Sequence, residues 1–407
     1  MRIALWRAWS ESDDRWKTVP HLGLTSIVAH ARHCGHEIDA TYCVTADDML
    51  AVDADLYAIS SVTAAWPETV ALATALVARG KPIVIGGPHI TCLPESLPEG
   101  CIGVAGEGET AFVDILVLAK LGYPIRSDVK RRTRIDLADC VHLPVYQDVG
   151  GHLMAVASRG CLYKCWFCTA SRSWPGPVTR FAAEHVVSSI GDYYDTHPPN
   201  GITFQDLHFA NDADYAVEVC LGLYRRGAPR KFHLSGCSFS SRLSRDRAEC
   251  ERLLKALKTC GLEWVGIGIE SASPPLFKKL KPHLTMADNE RLIEICASVG
   301  VKVQASFIVG IPGETETDLR ATRDFILKHT GPYFQQAGLF MYVPYPGTPG
   351  WDELLAAGRV SADMDFGLLR NGANPALEQA CYFNDAMPYS EAVAWRQKIS
   401  KASRPRA

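Results

Sequence analysis

Ser158-Arg159-Gly160-Cys161-Leu162-Tyr163-Lys164-Cys165-Trp166-Phe167-Cys168 sets three cysteines at C-x3-C-x2-C spacing within one short loop. Three thiolates held that closely can ligate three irons of a cubane [4Fe–4S] cluster and leave the fourth iron without a protein ligand. An open iron is a place where a small molecule can coordinate, so the spacing speaks of chemistry more than of support for the fold. Two plainer readings compete. Zinc prefers four tetrahedral ligands, and the fourth would have to come from farther along the chain, for example His152 or His208. Cysteines also pack as small buried hydrophobes.

The stretch resembles the signature of the radical S-adenosylmethionine (SAM) superfamily, with Phe167 where that family keeps an aromatic beside the adenine. The resemblance implies a [4Fe–4S] cluster on Cys161, Cys165 and Cys168, with SAM chelating the open iron through its amine and carboxylate. It also implies one-electron cleavage of SAM to a 5′-deoxyadenosyl radical, and an electron donor such as flavodoxin or ferredoxin as partner.

Outside this loop the chain is ordinary. Its 407 residues, 47% hydrophobic and 21% charged, suffice for two domains and a large core. A net charge of −3 weighs against a nucleic-acid or membrane-surface partner, and Lys130-Arg131-Arg132 reads as a solvated linker. The other cysteines are scattered, which fits a reducing cytoplasm. Met1-Arg2-Ile3-Ala4-Leu5-Trp6 leads into a strand rather than a signal peptide, and no run nears the ~18 apolar residues of a membrane span.

Residues 1–128 alternate apolar runs at 3–6, 38–43, 56–62, 82–86 and 102–105 with helical spacing. Leu24, Ile27, Val28 and Ala31 recur at helical intervals ahead of Gly35, as do Ala71, Leu72, Ala75, Leu76 and Ala78 ahead of Gly80. The alternation predicts a doubly wound α/β domain with a parallel sheet that receives ligands at its strand carboxyl ends. Pro20-His21-Leu22-Gly23-Leu24, Gly86-Gly87-Pro88-His89 and Gly106-Glu107-Gly108-Glu109 resemble recurrent turns of the cobalamin-binding domain that precedes the barrel in one large radical SAM subgroup. Cobalamin itself stays an open question on these residues, since such domains hold the corrin largely through backbone and small side chains; the absent D-x-H-x-x-G decides little, being commonly missing in the subgroup. Trp66 either caps a corrin or serves packing, and His89 reads more readily as a turn or packing histidine than as a cobalt ligand.

A linker at 129–150 leads to residues 151–350, where strand candidates at 153–157, 202–205, 232–236, 264–270, 303–309 and 339–343 alternate with helical segments. Six such units predict a partial (β/α)6 barrel with its chemistry at the carboxyl ends of the strands. The family resemblance extends to Trp264-Val265-Gly266-Ile267-Gly268-Ile269-Glu270-Ser271, to Phe307-Ile308-Val309-Gly310-Ile311-Pro312-Gly313-Glu314-Thr315, and to Tyr342-Val343-Pro344-Tyr345-Pro346-Gly347-Thr348-Pro349. It implies that Asp206, Arg242, Glu270 and Ser271 meet the SAM amine, carboxylate and ribose, with the Val309 and Gly310 backbone against adenine. The plainer alternatives are an N-cap for Asp206, a salt bridge to Lys278 or Lys279 for Glu270, and a helix cap for Glu314.

The loop from Asp206 to Tyr215 is rich in acids, and Asp206, His208 and Tyr215 are its candidate catalytic groups, able to deprotonate a hydroxyl beside a substrate radical. Asn211 and Asp212 also suit helix caps. Cys237 ends the third strand, where a thiol can return a hydrogen atom, though burial as a small residue is the plainer role. Residues 351–407 read as short helices without a cysteine-rich module for auxiliary clusters, leaving a small molecule as the default substrate.

The expectation is a cytoplasmic radical SAM enzyme with a cobalamin-binding-like domain. It would abstract hydrogen from a polar, amino-sugar-like natural product of antibiotic biosynthesis, leading to dehydration, oxidation or epimerisation. Cobalamin-dependent C-methylation is the close rival. A non-catalytic iron–sulfur or zinc-binding protein is the reading from another class.

Overall fold

The computed structural model describes residues 1–8, 19, 21–122, 128–131, 135–197, 200–207, 209–227, 232–234, 239–370 and 375–402. The chain divides into two compact units. The first gathers Met1–Val149, Phe167–Pro177 and Pro344–Ala373; the second gathers Gly150–Trp166, Val178–Val343 and Asn374–Ala407.

The first unit is built on β1 (Arg2–Ala8), β2 (Asp39–Cys43), β3 (Leu56–Ser61), β4 (Ile83–Gly86), β5 (Ile102–Ala105) and β6 (Asp128–Arg131), with β7 (Tyr146–Val149) farther along the chain. Strands run in the order β2-β1-β3-β4-β5-β6, every pairing parallel. The order reverses at β1 and β3, which opens a crevice at their carboxyl ends. Helices α1 (Leu22–His33), α2 (Ala46–Ala51), α3 (Trp66–Ala78), α4 (Pro88–Cys92) and α5 (Glu109–Lys120) connect them. Leu24, Val28 and Ala31 of α1 meet Ala111, Phe112 and Ile115 of α5 over Ile3 and Leu5 of β1, so the helical periodicity is spent on one core face.

The strand β6 falls where the sequence suggested a linker. Its Asp-Val-Lys-Arg composition carries no apolar alternation, because it is an edge strand held by pairing with β5 alone. Trp66 and His89 both serve packing. The Trp66 ring stacks on His89 at 4.1 Å, and His89 meets Phe366 edge-on at 4.8 Å. His89 is wholly buried, its Nε2 lies 3.1 Å from Ser96 Oγ, and burial holds its pKa down to about 3.

The second unit carries β8 (His152–Ala155), β9 (Ser158–Arg159), β10 (Thr179–Arg180), β11 (Gly201–Phe204), β12 (Phe232–Leu234), β13 (Leu262–Glu270), β14 (Lys302–Val309) and β15 (Phe334–Met341). Six of them form a parallel array, β15-β14-β13-β12-β11-β8, in which each strand lies beside its neighbour in sequence. That is the open, partial form of a (β/α) barrel. Its helices are α6 (Ala183–Thr196), α7 (Ala213–Arg225), α8 (Arg247–Thr259), α9 (Pro274–Leu280), α10 (Met286–Val299), α11 (Glu316–His329), α12 (Pro375–Ala380) and α13 (Tyr389–Ala402). Local chemistry sets several boundaries: Thr285 with Asp288 and Thr315 with Asp318 form capping boxes, and Gly300 closes α10 in the left-handed conformation. Among the described residues no helix is long and apolar enough to cross a membrane.

Candidate functional site

The cysteine loop springs from β9. Ser158 and Arg159 pair with Arg180 and Thr179 of β10, which pins the chain on both sides of the loop, and Gly160 turns out of the strand at φ 112°. The aromatics among the cysteines act as anchors. Tyr163 stacks on His283 at 3.9 Å, and its hydroxyl lies 3.2 Å from Ser240 Oγ. The Trp166 amide donates to the Leu280 carbonyl at 3.0 Å while its ring stacks on Tyr342 at 5.2 Å. Cys161, Cys165 and Cys168 are partly exposed and in no disulfide; Cys168 Sγ accepts from the Ala170 amide at 3.5 Å. No three His, Cys, Asp or Glu side chains among the described residues are gathered closely enough to hold a metal ion. The loop's fitness for a cluster therefore rests on its donor chemistry, three thiols whose soft sulfur suits iron.

Asp206 follows β11 and is buried at 2% exposure. Both of its oxygens accept from the Ala157 amide, at 3.0 and 3.1 Å, and one also accepts from Ser158 Oγ at 2.5 Å. Burial raises its pKa to about 6, against the lowering effect of these hydrogen bonds. Its carboxylate is thus engaged by the backbone and hydroxyl of the segment entering β9 and the cysteine loop. It is not a helix cap: Asp212 caps α7 by accepting from the Tyr215 amide.

Tyr215 sits in the first turn of α7, where its hydroxyl meets the carbonyls of Ala157, at 3.0 Å, and Phe181, at 2.8 Å. With its single proton directed at these carbonyls and burial raising its pKa, the phenol straps α7 to the segments flanking β9 and β10. His208 and Cys237 lie outside the described residues.

Glu270 ends β13 at a bulge and is the one non-glycine residue with positive φ, 68°, among the described residues. Its carboxylate pairs with Lys281 Nζ at 3.1 Å, both side chains about one-tenth exposed, and Lys281 also donates to the Gly268 carbonyl. Lys281, rather than Lys278 or Lys279, is the partner. A Cβ at Gly268 would collide with the Glu270 carboxylate and with Lys281 Nζ, which explains the thinned strand. Arg242 is exposed and makes no ion pair among the described residues, so it does not meet Glu270.

Ser271 is buried beside Thr322, their hydroxyls 3.5 Å apart, and accepts from the Ser273 amide. The Val309 carbonyl accepts from the Tyr342 amide at 2.8 Å, and the Gly310 amide donates to Glu314 Oε2 at 2.6 Å. Tyr382 and Met341 cover the open side of Gly310. Phe167 is half-buried in the first unit. Sequence reasoning missed Lys281 as the ion-pair partner, which no spacing rule separates from two neighbouring lysines, and the tether from Tyr163 to His283.

Two family models match the chain: the radical SAM superfamily over residues 156–326 and the B12 binding domain over residues 17–116. The chain carries a radical SAM domain and a B12-binding domain. An uncharacterized methyltransferase of Pyrococcus horikoshii is 26% identical to this chain, covering 83% of it and 79% of its own length. The bacteriochlorophyllide d C-12(1)-methyltransferase of Chlorobaculum tepidum is 22% identical, covering 74% of this chain and 66% of its own. Among solved structures, the radical SAM methyltransferase TsrM of Kitasatospora setae, with cobalamin and a [4Fe–4S] cluster bound, covers 98% of this chain and 90% of its own. It superposes with a TM-score of 0.67 at 15% identity, a likeness of fold.

In the B12-binding domain the carboxyl ends of β3, β4 and β5 present Ser60-Ser61, Gly86-Gly87 and Gly106. Gly87, at φ 96°, brings backbone so close that a Cβ would lie 2.7 Å from the Ser61 carbonyl oxygen. Gly87 thus packs the β4 turn against β3, and the absence of large side chains at these strand ends suits a broad planar ligand such as a corrin held by backbone groups.

Proposed function

We propose that this chain is a cobalamin-dependent radical SAM methyltransferase acting on a small molecule. The carrying observation is that the relatives named as methyltransferases align across both domains, covering up to 83% of the chain. Cys161, Cys165 and Cys168 would hold the [4Fe–4S] cluster, and the rim of β3, β4 and β5 the corrin. When bound, the cluster, SAM and the corrin supply an organic radical and a transferable methyl group. Within the chain, Asp206 and Tyr215 fix the strand that launches the cysteine loop, while Glu270 and Lys281 set a compact, buried charge pair at the end of β13.

Dehydration, oxidation or epimerisation of an amino-sugar-like compound now has less support. It leaned on the acidic loop after β11, where three of the groups have partners within the chain. Asp206 is engaged by Ala157 and Ser158, Tyr215 by two carbonyls, and Asp212 by the Tyr215 amide and Arg180.

Anaerobic reconstitution with iron, sulfide and hydroxocobalamin, followed by product analysis with candidate acceptors, tests the reading. Methylation yields S-adenosylhomocysteine together with 5′-deoxyadenosine, and corrin bands that survive gel filtration. Deoxyadenosine alone, from protein that retains no corrin, would return the hydrogen-abstraction reading to first place.

A further inference from the structure

Register and burial sort the barrel strands into two faces. Along β14, Val303, Ala305, Phe307 and Val309 are wholly buried, while Gln304, Ser306 and Ile308 are half-buried. Phe334, which pairs with Val303, packs against Phe325 and His329 of α11, so the wholly buried face is the helix-covered one. Gln304 and Ser306 therefore lie on the concave side of the open array.

On that side the pairing sets three glutamines at one level. Gln304 stands opposite Gln335 of β15 and opposite Gly266 of β13, two residues past Trp264. Trp264 is level with His233, and His233 with Thr203. Gln205, two residues past Thr203, continues β11 by donating its backbone N–H to the Ala155 carbonyl at 2.8 Å. Gln205 and Gln335 are exposed and Gln304 half-buried, and none of the three side-chain amides has a hydrogen-bond partner among the described residues. The level below differs. Thr203 Oγ1 is 2.8 Å from His152, His233 is 2.9 Å from Glu263, and the His233 ring stacks on Trp264 at 4.5 Å. Lys302, level with Trp264, is exposed at the start of β14. From the glutamines to the strand ends, the charges on this side among the described residues are Glu270 and Lys281, which pair with each other.

We propose that this glutamine level recognises the methyl acceptor, and that the part of the acceptor it holds is an uncharged amide or lactam. The inference deepens, and rests on, the reading of the chain as a methyltransferase of a small molecule. A glutamine side chain offers an acceptor oxygen and donor hydrogens in one plane, the complement of another amide. An ionised carboxylate, phosphonate or ammonium brought to this level would lose water without meeting a countercharge. Gln205 and Gln304 are three strand steps apart, about 14 Å along the sheet, and the curvature of the array turns them towards each other. Gln205 also directly precedes Asp206, whose carboxylate is bonded to the segment that launches the cysteine loop, which places the level beside the base of that loop.

The test uses the reconstituted parent, Gln304→Leu, Gln335→Leu and Gln304→Glu. The probes are two matched sets, benzamide, benzoate and benzylamine, and indole-3-acetamide, indole-3-acetate and tryptamine, titrated by saturation-transfer NMR. In the parent each amide should bind about tenfold tighter than its acid and amine. Either leucine variant should lose about fivefold in amide affinity with the acid and amine unmoved, and Gln304→Glu should turn the preference towards the amines. Iron content and urea midpoints should stay at parent values, because these side chains bond to nothing within the described chain. Should one leucine variant lose iron, the other and the parent's own ranking carry the comparison.

Equal or tighter binding of the acids or amines by the parent overturns the proposal. So does failure of both amides to bind, or amide affinity that is unchanged in both leucine variants. If the parent forms no S-adenosylhomocysteine with any acceptor, the methyltransferase reading fails by itself, and the ranking of the probes still decides what the glutamines recognise.

Discussion

Glu270 combines a left-handed backbone, a bulge and a charge nearly out of solvent. Positive φ at a residue with a Cβ costs about 1–3 kcal/mol, and the pair with Lys281 is what holds it there. Replacing Glu270 by Ala removes the pair and keeps the strain, whereas Gly removes both. We expect Glu270→Ala to lower unfolding free energy by about 3–5 kcal/mol and Glu270→Gly by about 1 kcal/mol less, read from urea unfolding of the two variants. Equal losses would mean that the backbone at 270 is not strained. Tyr215 makes a second case. Tyr215→Phe loses the one hydroxyl proton that two buried carbonyls share and should cost about 1–3 kcal/mol, while turnover per iron-loaded molecule changes less than threefold. A hundredfold drop in turnover at normal iron content would make the phenol catalytic after all. The cysteine spacing was legible in sequence because all its members lie within one loop. The engagement of Asp206 and Tyr215 was not, since their partners at Ala157, Ser158 and Phe181 are mostly backbone groups far along the chain, which carry no side-chain signal.

At the scale of elements, the turn from β14 into α11 is organised by Glu314. This side chain is 1% exposed; Oε2 accepts from Gly310, Oε1 has no hydrogen-bond partner among the described residues, and burial raises the pKa from 4.5 to about 8. In the unfolded chain the same carboxyl ionises near 4.5, so between these values the folded state binds the extra proton. Stability must then fall as pH rises through this window, by up to roughly 5 kcal/mol from this one group. Urea midpoints measured from pH 5 to 8.5 should decline in the parent and flatten in Glu314→Gln, which keeps an acceptor for Gly310 and cannot ionise. Identical slopes would place the pH dependence elsewhere. Glu314 was read as an ordinary cap because Glu316 and Asp318 supply first-turn acids beside Thr315 in the sequence; the capping box uses Thr315 and Asp318, leaving Glu314 to the turn itself. Elements buried on both faces, such as β5, announced themselves as apolar runs, while β6, an Asp-Val-Lys-Arg edge strand, did not.

At the scale of the whole molecule, linear order and compact units differ. The alternation of strands and helices made two α/β halves legible, yet Pro344–Ala373 is compact with the first unit and Asn374–Ala407 with the second, a division that no shift of composition marks. Within the second unit the last segment contributes structure to the β14 turn. Asn384 accepts from the Gly313 amide at 3.0 Å and donates to the Glu314 carbonyl at 2.7 Å, and Tyr382 covers Gly310. Trp395 of α13 lies under Arg320 and Arg323 of α11. Removing residues 375–407 would strand those two backbone groups and expose the surface beneath Trp395, at a cost of several kcal/mol. The truncated chain should lose iron incorporation and unfold at lower urea. The point change Asn384→Ala should reproduce a milder part of that loss, about 1–3 kcal/mol. Because this variant keeps the rest of the segment, a parent-like urea midpoint for Asn384→Ala would show that the contacts at 313 and 314 do not hold the turn, whatever the truncation does.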